Sequence, residues 1–259
     1  MMHLPRRLIF VKPKKVGGST LEFVLSSACG PDDTLTPLSV AEDCDRCRLG
    51  YQLPVNVFFS AVDEQRYHKA LRDLCTLGMS SASVESSMTM ASQLRRLAAT
   101  LRQRTRVRNH ASLKLIREFV GAAVFRETPL VSICRHPFEL AVSQASWDRH
   151  KGAAGSLDEA LDRVVSRPHI NLRRYGLHRR WHGQRTPFTL ILRLEELPQD
   201  MPLLSALVER DLPAELPRLK GDVREDRRPA EHVLSNAQKR AMERHNRPLF
   251  ELWDSPPRP

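Results

Sequence analysis

The sequence lacks any long hydrophobic run. No stretch reaches the roughly 18 apolar residues that a membrane-spanning helix needs. The basic N-terminal residues lead into only four apolar ones, Leu8 to Val11, too few for the hydrophobic region of a signal peptide. We therefore expect no membrane segment in this chain, and a soluble, cytoplasmic protein as the sequence is given.

Cysteine is also scarce. The five cysteines, Cys29, Cys44, Cys47, Cys75 and Cys134, are an odd number and too few for a disulfide scaffold in a chain of 259 residues. Cys44 and Cys47 form a C-x-x-C pair. This is the spacing found in half of a typical zinc site, but no second pair with suitable spacing follows. We interpret this pair as part of a polar loop that holds two thiols or one local disulfide.

Acidic and aromatic residues are few relative to basic ones. The chain has 41 Lys and Arg against 30 Asp and Glu, a formal net charge of +11, and 6% aromatic residues. Such a charge indicates an anionic partner: nucleic acid, a membrane surface, a phosphorylated cofactor or an acidic glycan. The low aromatic content and the absence of a recognised nucleic-acid-reading module count against a non-enzymatic nucleic-acid binder, which stays as an alternative.

Short apolar runs alternate with helical patterns along the whole chain, and no repeat of fixed period occurs. This rhythm predicts an α/β protein with a mainly parallel sheet covered by helices on both faces. Predicted strands are 8–12, 55–60, 130–135 and 188–194; predicted helices are 19–27, 63–77, 84–104, 112–120, 137–150, 157–166, 201–207 and 235–253. We expect one domain over 1–259, with 31–105 as an insertion or subdomain and 254–259 as a disordered tail.

The stretch LIFVKPKKVGGSTLE, residues 8–22, combines a predicted strand, a basic glycine-containing loop and the start of a helix. Ser19 and Glu22 have the spacing of a capping box, which predicts a helix that begins near Ser19. A helix N-terminus with glycines and lysines beside it attracts a phosphate group. The lysines precede the glycines, the reverse of the nucleoside-triphosphatase P-loop, so a P-loop nucleotide kinase is a second, disfavoured alternative. The candidate phosphate-binding residues are Lys12, Lys14, Lys15, Gly17, Gly18, Ser19 and Thr20.

A second strand–turn–helix pattern occurs at residues 129–143, PLVSICRHPFELAVS. Pro137 suits a first helical position, where its missing N–H costs nothing. Arg135 ends the strand, and Ser143 follows two helical turns later. A guanidinium and a hydroxyl in these places can hold a second phosphate. Two such anion sites at the ends of two strands predict a ligand with two separated phosphates.

These two patterns together resemble the sulfotransferases that use 3'-phosphoadenosine 5'-phosphosulfate (PAPS), above all carbohydrate enzymes such as galactose 3-O-sulfotransferases and heparan sulfate 2-O-sulfotransferase. Residues 12–21 are similar to the family's 5'-phosphosulfate loop and residues 133–143 to its 3'-phosphate motif. Three further stretches, 109–113, 192–197 and 235–253, resemble its histidine segment, acidic turn and closing helix. The two phosphate motifs together are specific evidence for this family, whereas each motif alone is weak evidence. Residues 31–105 have no counterpart in the family's sequence pattern.

The resemblance implies a P-loop-like three-layer sandwich with a mainly parallel central sheet flanked by helices. It implies transfer of a sulfuryl group from PAPS to an acceptor hydroxyl of a carbohydrate or another anionic or sugar-like molecule. Adenosine 3',5'-bisphosphate would be the product, and no metal ion would be needed. Lys15 would stabilise the leaving group and His110 would act as the general base. Arg135 and Ser143 would bind the 3'-phosphate. Family members that act on glycans are held in the Golgi by an N-terminal helix, so a Golgi location stays open if an anchor has been removed.

The sequence departs from the family's pattern at three positions. Val16 stands where the family usually has threonine, Lys14 where it commonly has histidine, and His136 where it commonly has aspartate. Other residues have two interpretations each. Trp147 and Trp181 either stack on a sugar or pack in the core. The arginines of 95–108, together with Arg173, Arg174, Arg179 and Arg180, either line an acceptor groove or lie on solvated helix faces. Lys220 and Arg224 to Arg228 occupy a polar loop that would close over the nucleotide.

Overall fold

The computed structural model describes residues 2–4, 7–77, 90–177, 186–213, 215–217, 223–224 and 226–257. Over these residues the chain is an α/β protein whose strands belong to a mixed sheet of five. The strands are β1 Met2–Leu4, β2 Leu8–Phe10, β3 Thr34–Leu35, β4 Leu130–Cys134 and β5 Leu190–Arg193. The helices are α1 Gly18–Leu25, α2 Val40–Arg48, α3 Ala61–Thr76, α4 Met90–Arg102, α5 Leu113–Val120, α6 Ala122–Glu127, α7 Pro137–His150, α8 Leu157–Val165, α9 Asn171–Arg174, α10 Leu197–Val208, α11 Ala230–Val233 and α12 Asn236–Asp254.

The described residues divide into two compact units, each assembled from separate parts of the chain. The first contains those of Met1–Lys12, Ser19–Pro129 and Met201–Pro217; the second contains those of Pro13–Gly18, Leu130–Asp200 and Arg218–Pro259. The described residues of segment 31–105 all belong to the first unit. The basic loop after β2 belongs to the second unit, although the strand before it belongs to the first.

The first unit contains the antiparallel strands. β1 pairs with β2 in the register Met2↔Phe10, and on its other side with β3 in the register Met2↔Leu35. All three residues of β2 are buried, which a run of Leu, Ile and Phe favours because burial of each side chain stabilises the fold by about 1.5–3 kcal/mol. Helices α2, α3 and α4 pack against one another in the same unit.

The second unit contains the parallel pair. β4 and β5 run parallel in the register Val131↔Leu190 to Cys134↔Arg193. A parallel pair needs a long crossover connection, and α7, α8 and α9 lie between these strands in the chain. Both strands are almost completely buried, and α12 packs on α7 and α8.

The predicted α/β class is confirmed, but a mainly parallel sheet is not. β1 pairs antiparallel on both sides, and only the β4–β5 pair is described as parallel. β1 and β3 were not predicted because strands of two or three residues are too short for an alternating pattern to register. Strands β2, β4 and β5 lie where the sequence predicts them, shortened by one to three residues.

The predicted strand at 55–60 is wrong. Val55 and Phe58 make only isolated bridges, to Leu35 and Thr105. Residues 40–48, interpreted as a polar loop around Cys44 and Cys47, instead form helix α2, which begins with a capping box between Ser39 and Glu42. All five cysteines are free thiols.

The other predicted helices are observed with boundary shifts, and α10 begins four residues before its predicted start. Residues 84–89 of the predicted helix 84–104 lie outside the described residues. In the predicted tail, the carbonyl of Pro257 accepts a hydrogen bond from the backbone N–H of Ile191 at 3.0 Å, and 258–259 are not described. A search of the described helices finds none with the length and apolar character to cross a bilayer.

Candidate functional site

The basic loop between β2 and α1 has an unusual backbone. Lys15 has φ of 62° and Gly17 has φ of 75°, so both lie in the left-handed region. A side chain at Gly17 would overlap the side chain of Leu194, because an added Cβ would lie well inside van der Waals distance of Leu194 Cδ1. Glycine is therefore favoured at position 17, because its backbone is left-handed and because an added side chain would force the Leu194 side chain to move.

Lys12, at the end of the buried stretch before this loop, does not project into solvent. Its ammonium forms an ion pair of 3.0 Å with Glu22 of α1, and both side chains are buried. Glu22 also accepts a 2.7 Å hydrogen bond from Thr36 Oγ1. Burial raises the pKa of Glu22, but the charges of Lys12 and Arg46 and the Thr36 hydrogen bond outweigh burial and hold the pKa at about 2. Both residues, predicted as a phosphate ligand and a capping residue, thus stabilise the first unit.

Lys14 is held by a residue that the sequence reasoning did not identify. Its backbone N–H donates to Asn171 Oδ1 at 2.9 Å, and Asn171 Nδ2 donates to its carbonyl at 2.8 Å. Asn171 is buried at the start of α9, whereas the side chain of Lys14 is exposed. No sequence signal links the two residues, because 157 positions separate them.

Lys15 points its ammonium at the face of an aromatic ring. Lys15 Nζ lies 4.4 Å from the ring centroid of Trp147, and Lys151 Nζ lies 4.9 Å from the same centroid. Both distances are within the range of cation–π attraction. Trp147 and Ser143 are four residues apart on α7, so they share one face of that helix, and both are half-buried.

The turn between β4 and α7 forms a cluster of alternating charges. Arg135 Nη2 donates to Glu139 Oε2 at 3.2 Å, and Arg135 Nε lies 3.9 Å from Glu195 Oε1. Arg224 Nη1 contacts the same Glu139 oxygen, so two guanidinium groups converge on one carboxylate. The backbone N–H of Ala230 donates to the other Glu139 oxygen at 2.8 Å. Two arginines that already share an anion mark a position where a phosphate can be bound.

The electrostatics of this cluster reflect partial burial. Burial, opposed by the charges of Glu139 and Glu195, lowers the pKa of Arg135. Burial raises the pKa of Glu195, opposed by hydrogen bonds and by the charge of Arg135. The pKa of Glu139 is lowered: burial acts to raise it, but the Ala230 hydrogen bond and Arg224 prevail. Glu139 therefore stays ionised at neutral pH and competes with any ligand for both arginines.

His110 lies in the first unit. Its ring Nδ1 is 3.1 Å from the carbonyl oxygen of Lys12. A carbonyl oxygen only accepts, so Nδ1 carries the proton, and in the neutral ring Nε2 bears the lone pair that a general base needs. His110 has φ of 60°, a left-handed conformation that is rare outside glycine, and it is half-buried.

The structure therefore distributes the predicted site residues between the units. Lys14, Lys15, Gly17, Gly18, Arg135 and Ser143 lie in the second unit, and Lys12, Ser19, Thr20 and His110 lie in the first. Within the first unit, Thr20 Oγ1 donates to the carbonyl of Pro217 at 3.1 Å. Trp181, Arg179, Arg180 and Lys220 lie outside the described residues. Asn171, Lys151 and Glu139 are the additional residues that the structure brings to the loop and the turn.

The fold defines the chain as an α/β protein with two basic strand–turn–helix segments. No protein-family model matches the chain, no curated protein matches it, and no solved structure matches it.

Proposed function

We propose that the chain is a PAPS-dependent sulfotransferase that moves a sulfuryl group to an acceptor hydroxyl. The observation that carries the proposal is the contact between the first predicted phosphate loop and the helix that follows the second one. Lys15 of the loop lies over Trp147 on α7, the helix that begins just after Arg135 and carries Ser143 one turn before Trp147. Basic residues on two neighbouring segments suit a ligand with two phosphates better than a single anion.

The residues that would bind the donor have distinct roles. Arg135, with its bidentate guanidinium, would bind the 3'-phosphate, and Ser143 would donate one hydrogen bond to it. Gly17 and Gly18 would let the 5'-phosphosulfate approach the backbone, with Ser19 and Thr20 beside them. Binding the 3'-phosphate would require Arg135 to exchange Glu139 for the ligand.

The reaction would be an in-line displacement at sulfur. The acceptor oxygen forms a bond to sulfur while the bond from sulfur to the bridging phosphate oxygen breaks, so that adenosine 3',5'-bisphosphate leaves. Lys15 would stabilise the charge that grows on this leaving oxygen. His110 Nε2 would take the acceptor's proton, and the hydrogen bond from Nδ1 to the Lys12 carbonyl would hold the ring in the required tautomer.

The acceptor class follows from the resemblance and from the ring that Lys15 contacts. A half-buried indole with two ammonium groups nearby suits a sugar ring that carries an anionic group. We therefore propose a carbohydrate hydroxyl as the acceptor.

The first experiment is calorimetric binding of adenosine 3',5'-bisphosphate, 5'-AMP and ATP to the parent and to Arg135→Ala. We expect the bisphosphate to bind the parent more tightly than AMP, and Arg135→Ala to remove that preference. Loss of a charged hydrogen bond of about 1.5–3 kcal/mol corresponds to roughly a 10- to 100-fold weaker affinity. Arg126→Ala, which removes an exposed arginine, is the matched control and should bind as the parent does.

Bisphosphate affinity equal to that of AMP in the parent would refute the proposal. Preferential binding of ATP with magnesium would instead favour a nucleotide kinase. If the bisphosphate binds as expected, its formation from PAPS in the presence of candidate glycans tests the transfer itself, and Lys15→Met should slow that formation without abolishing binding.

A further inference from the structure

The side chain of Asn171 makes two hydrogen bonds to the backbone of Lys14, one to its N–H and one to its C=O. Asn171 accepts from the N–H of Lys14 and donates to its C=O, at 2.9 Å and 2.8 Å. An asparagine amide has one acceptor and one donor group, so it can satisfy both backbone groups of one residue. Asn171 is completely buried, so its amide is fixed in place by its surroundings, while Lys14 itself is exposed.

Asn171 is itself held in place from α12. Its backbone N–H donates to His169 Nδ1 at 3.1 Å, and the backbone N–H of His169 donates to Asn246 Oδ1 at 2.6 Å. Asn246 Nδ2 also reaches the carbonyl of Arg167 at 3.3 Å. Asn246 is the one residue of α12 with reported non-helical angles, φ −130° and ψ 21°, so its side chain leaves the helix at a kink.

A chain of buried and partly buried hydrogen bonds therefore runs from α12 to the loop, entirely within the second unit. Each asparagine in it uses both ends of its amide. Aspartate would retain the acceptor but replace the donor with a second oxygen, which repels the carbonyl it faces. Alanine would remove the partners of both the N–H and the C=O of Lys14.

The residue after Lys14 is the one that needs such support. Lys15 has a left-handed backbone, a conformation that is strained for a residue with a Cβ. Strain of this kind persists only where the surroundings determine the conformation. The bond to the Lys14 carbonyl holds the peptide group immediately before Lys15, and the bond to the Lys14 N–H holds the peptide group before that one. The backbone conformation of Lys15 decides the direction of its side chain towards Trp147.

We propose that Asn171 is the positioning residue of Lys15: its amide holds Lys14 on both backbone groups and so keeps Lys15 in the left-handed conformation that directs its ammonium over Trp147. The inference rests on the proposed function only for its consequence, that Asn171 sets the affinity and rate of a reaction in which Lys15 takes part. The conformational claim stands independently of the ligand.

The conformational claim is tested in the ligand-free protein. Tryptophan emission is recorded for the parent, Lys15→Met, Asn171→Asp and Asn171→Ala, each also with Trp147→Phe to isolate the Trp147 signal. We expect both Asn171 variants to change the Trp147 emission in the same direction as Lys15→Met, and hydrogen exchange of the peptide covering residues 13–18 to accelerate. Asn236→Asp, at the exposed start of α12, should match the parent in both measurements.

Unchanged Trp147 emission and unchanged exchange in both Asn171 variants would overturn the inference, whether or not any nucleotide binds. Thermal unfolding of each variant identifies loss of folding. The two substitutions perturb the site differently: Asn171→Asp keeps the acceptor but buries a charge, whereas Asn171→Ala removes both bonds without adding a charge. A change in emission with no acceleration of exchange would also contradict the proposed route through Lys14.

The functional consequence is tested by a double-mutant cycle with adenosine 3',5'-bisphosphate as the probe. We expect Asn171→Ala to weaken binding by about tenfold in the parent and by less than about threefold in Lys15→Ala, because its effect passes through Lys15. Equal losses in both backgrounds would show that Asn171 acts on overall structure and would contradict the inference. Absence of bisphosphate binding in the parent would refute the proposed function and leave the emission and exchange results to decide the role of Asn171.

Discussion

Each of the two units contains buried polar side chains that pair with one another. Lys12 and Glu22 form a buried ion pair in the first unit, and His169 and Asn171 form a buried hydrogen bond in the second. Such groups stabilise a fold only while their partners remain, since an unpaired buried charge or amide is costly. Their substitution therefore has large, predictable effects on stability.

The pair formed by Lys12 and Glu22 can be tested by unfolding in urea. Lys12→Met leaves a buried carboxylate without its main partner, and we expect a loss of about 3–5 kcal/mol in the free energy of unfolding. The double variant Lys12→Met, Glu22→Gln should recover much of this loss. Lys69→Met breaks the exposed pair with Asp73 and should cost less than about 1 kcal/mol. Equal losses for the two lysines would contradict the buried-pair argument.

His169 should make the protein sensitive to mild acid. Burial lowers the pKa of His169 to about 4, and the charges of Arg174, Lys14 and Arg167 act in the same direction. The unfolded chain has a histidine pKa near ~6.5, so between pH 6.5 and 4 the unfolded state binds more protons. Stability should therefore fall as the pH is lowered through this window, by up to about 1.4 kcal/mol per pH unit.

The variant His169→Asn tests this dependence, because an amide oxygen replaces the Nδ1 acceptor and does not titrate. Urea midpoints at pH 7, 6, 5 and 4 should decline less steeply in this variant than in the parent. His232→Asn, which alters an exposed histidine, serves as the comparison and should decline as the parent does. Identical slopes in the parent and His169→Asn would contradict the assignment.

At the scale of elements, the loop between β2 and α1 depends on two left-handed residues, only one of which is glycine. Gly17 combines this backbone with contact to Leu194. Gly152 has a similar φ of 70° but has nothing within 4 Å of the position a Cβ would occupy. A substitution at Gly152 therefore tests the cost of the left-handed backbone alone, whereas one at Gly17 tests that cost together with the overlap with Leu194.

Gly152→Ala should lower the free energy of unfolding by about 1–2 kcal/mol, from the left-handed conformation alone. Gly17→Ala should cost more, because the added methyl group must displace Leu194. Adding Leu194→Ala should recover part of the extra cost, apart from the cavity it creates. Urea unfolding of the four proteins measures this. A cost at Gly17 no greater than that at Gly152 would show that Leu194 yields freely.

At the scale of the whole molecule, the net charge of +11 does not by itself distinguish a nucleotide-binding protein from a nucleic-acid-binding one. Part of the basic charge is neutralised within the fold: Arg46 is buried against Asp43, and Arg135 and Arg224 share Glu139. The remaining charge is compatible with either a nucleotide or a nucleic acid as the anionic partner. Salt dependence separates these functions, because contacts with many phosphates release many counterions.

We expect a 20-base-pair duplex of arbitrary sequence to bind only weakly at about 150 mM salt, with a steep loss of affinity as salt rises. Binding of adenosine 3',5'-bisphosphate should persist under the same conditions. Fluorescence anisotropy of a labelled duplex and calorimetry of the bisphosphate, each from 50 to 300 mM salt, provide the measurement. Tight duplex binding at the higher salt that the bisphosphate does not displace would favour the nucleic-acid alternative.

Local patterns along the chain predict much of this molecule. The apolar runs of β2, β4 and β5 and the position of α7 after Pro137 depend on neighbouring residues alone, and they are observed close to where they are predicted. The left-handed backbone of Gly17 is a property of the turn itself, whereas its contact with Leu194 depends on a distant residue. The α/β class depends on the order of such segments and is therefore readable from the sequence.

Tertiary structure alone decided the rest, because it depends on partners far apart in the chain. The antiparallel pairing of β1 with β3 joins residues about thirty positions apart in strands too short to predict. No local pattern predicts three contacts that depend on how the chain folds: the buried pair of Lys12 and Glu22, the hydrogen bonds of Asn171 to Lys14, and the contact of Lys15 with Trp147. The sequence determined which residues carry charge around the loop, and the packing decided which of those charges are buried and which remain available to a ligand.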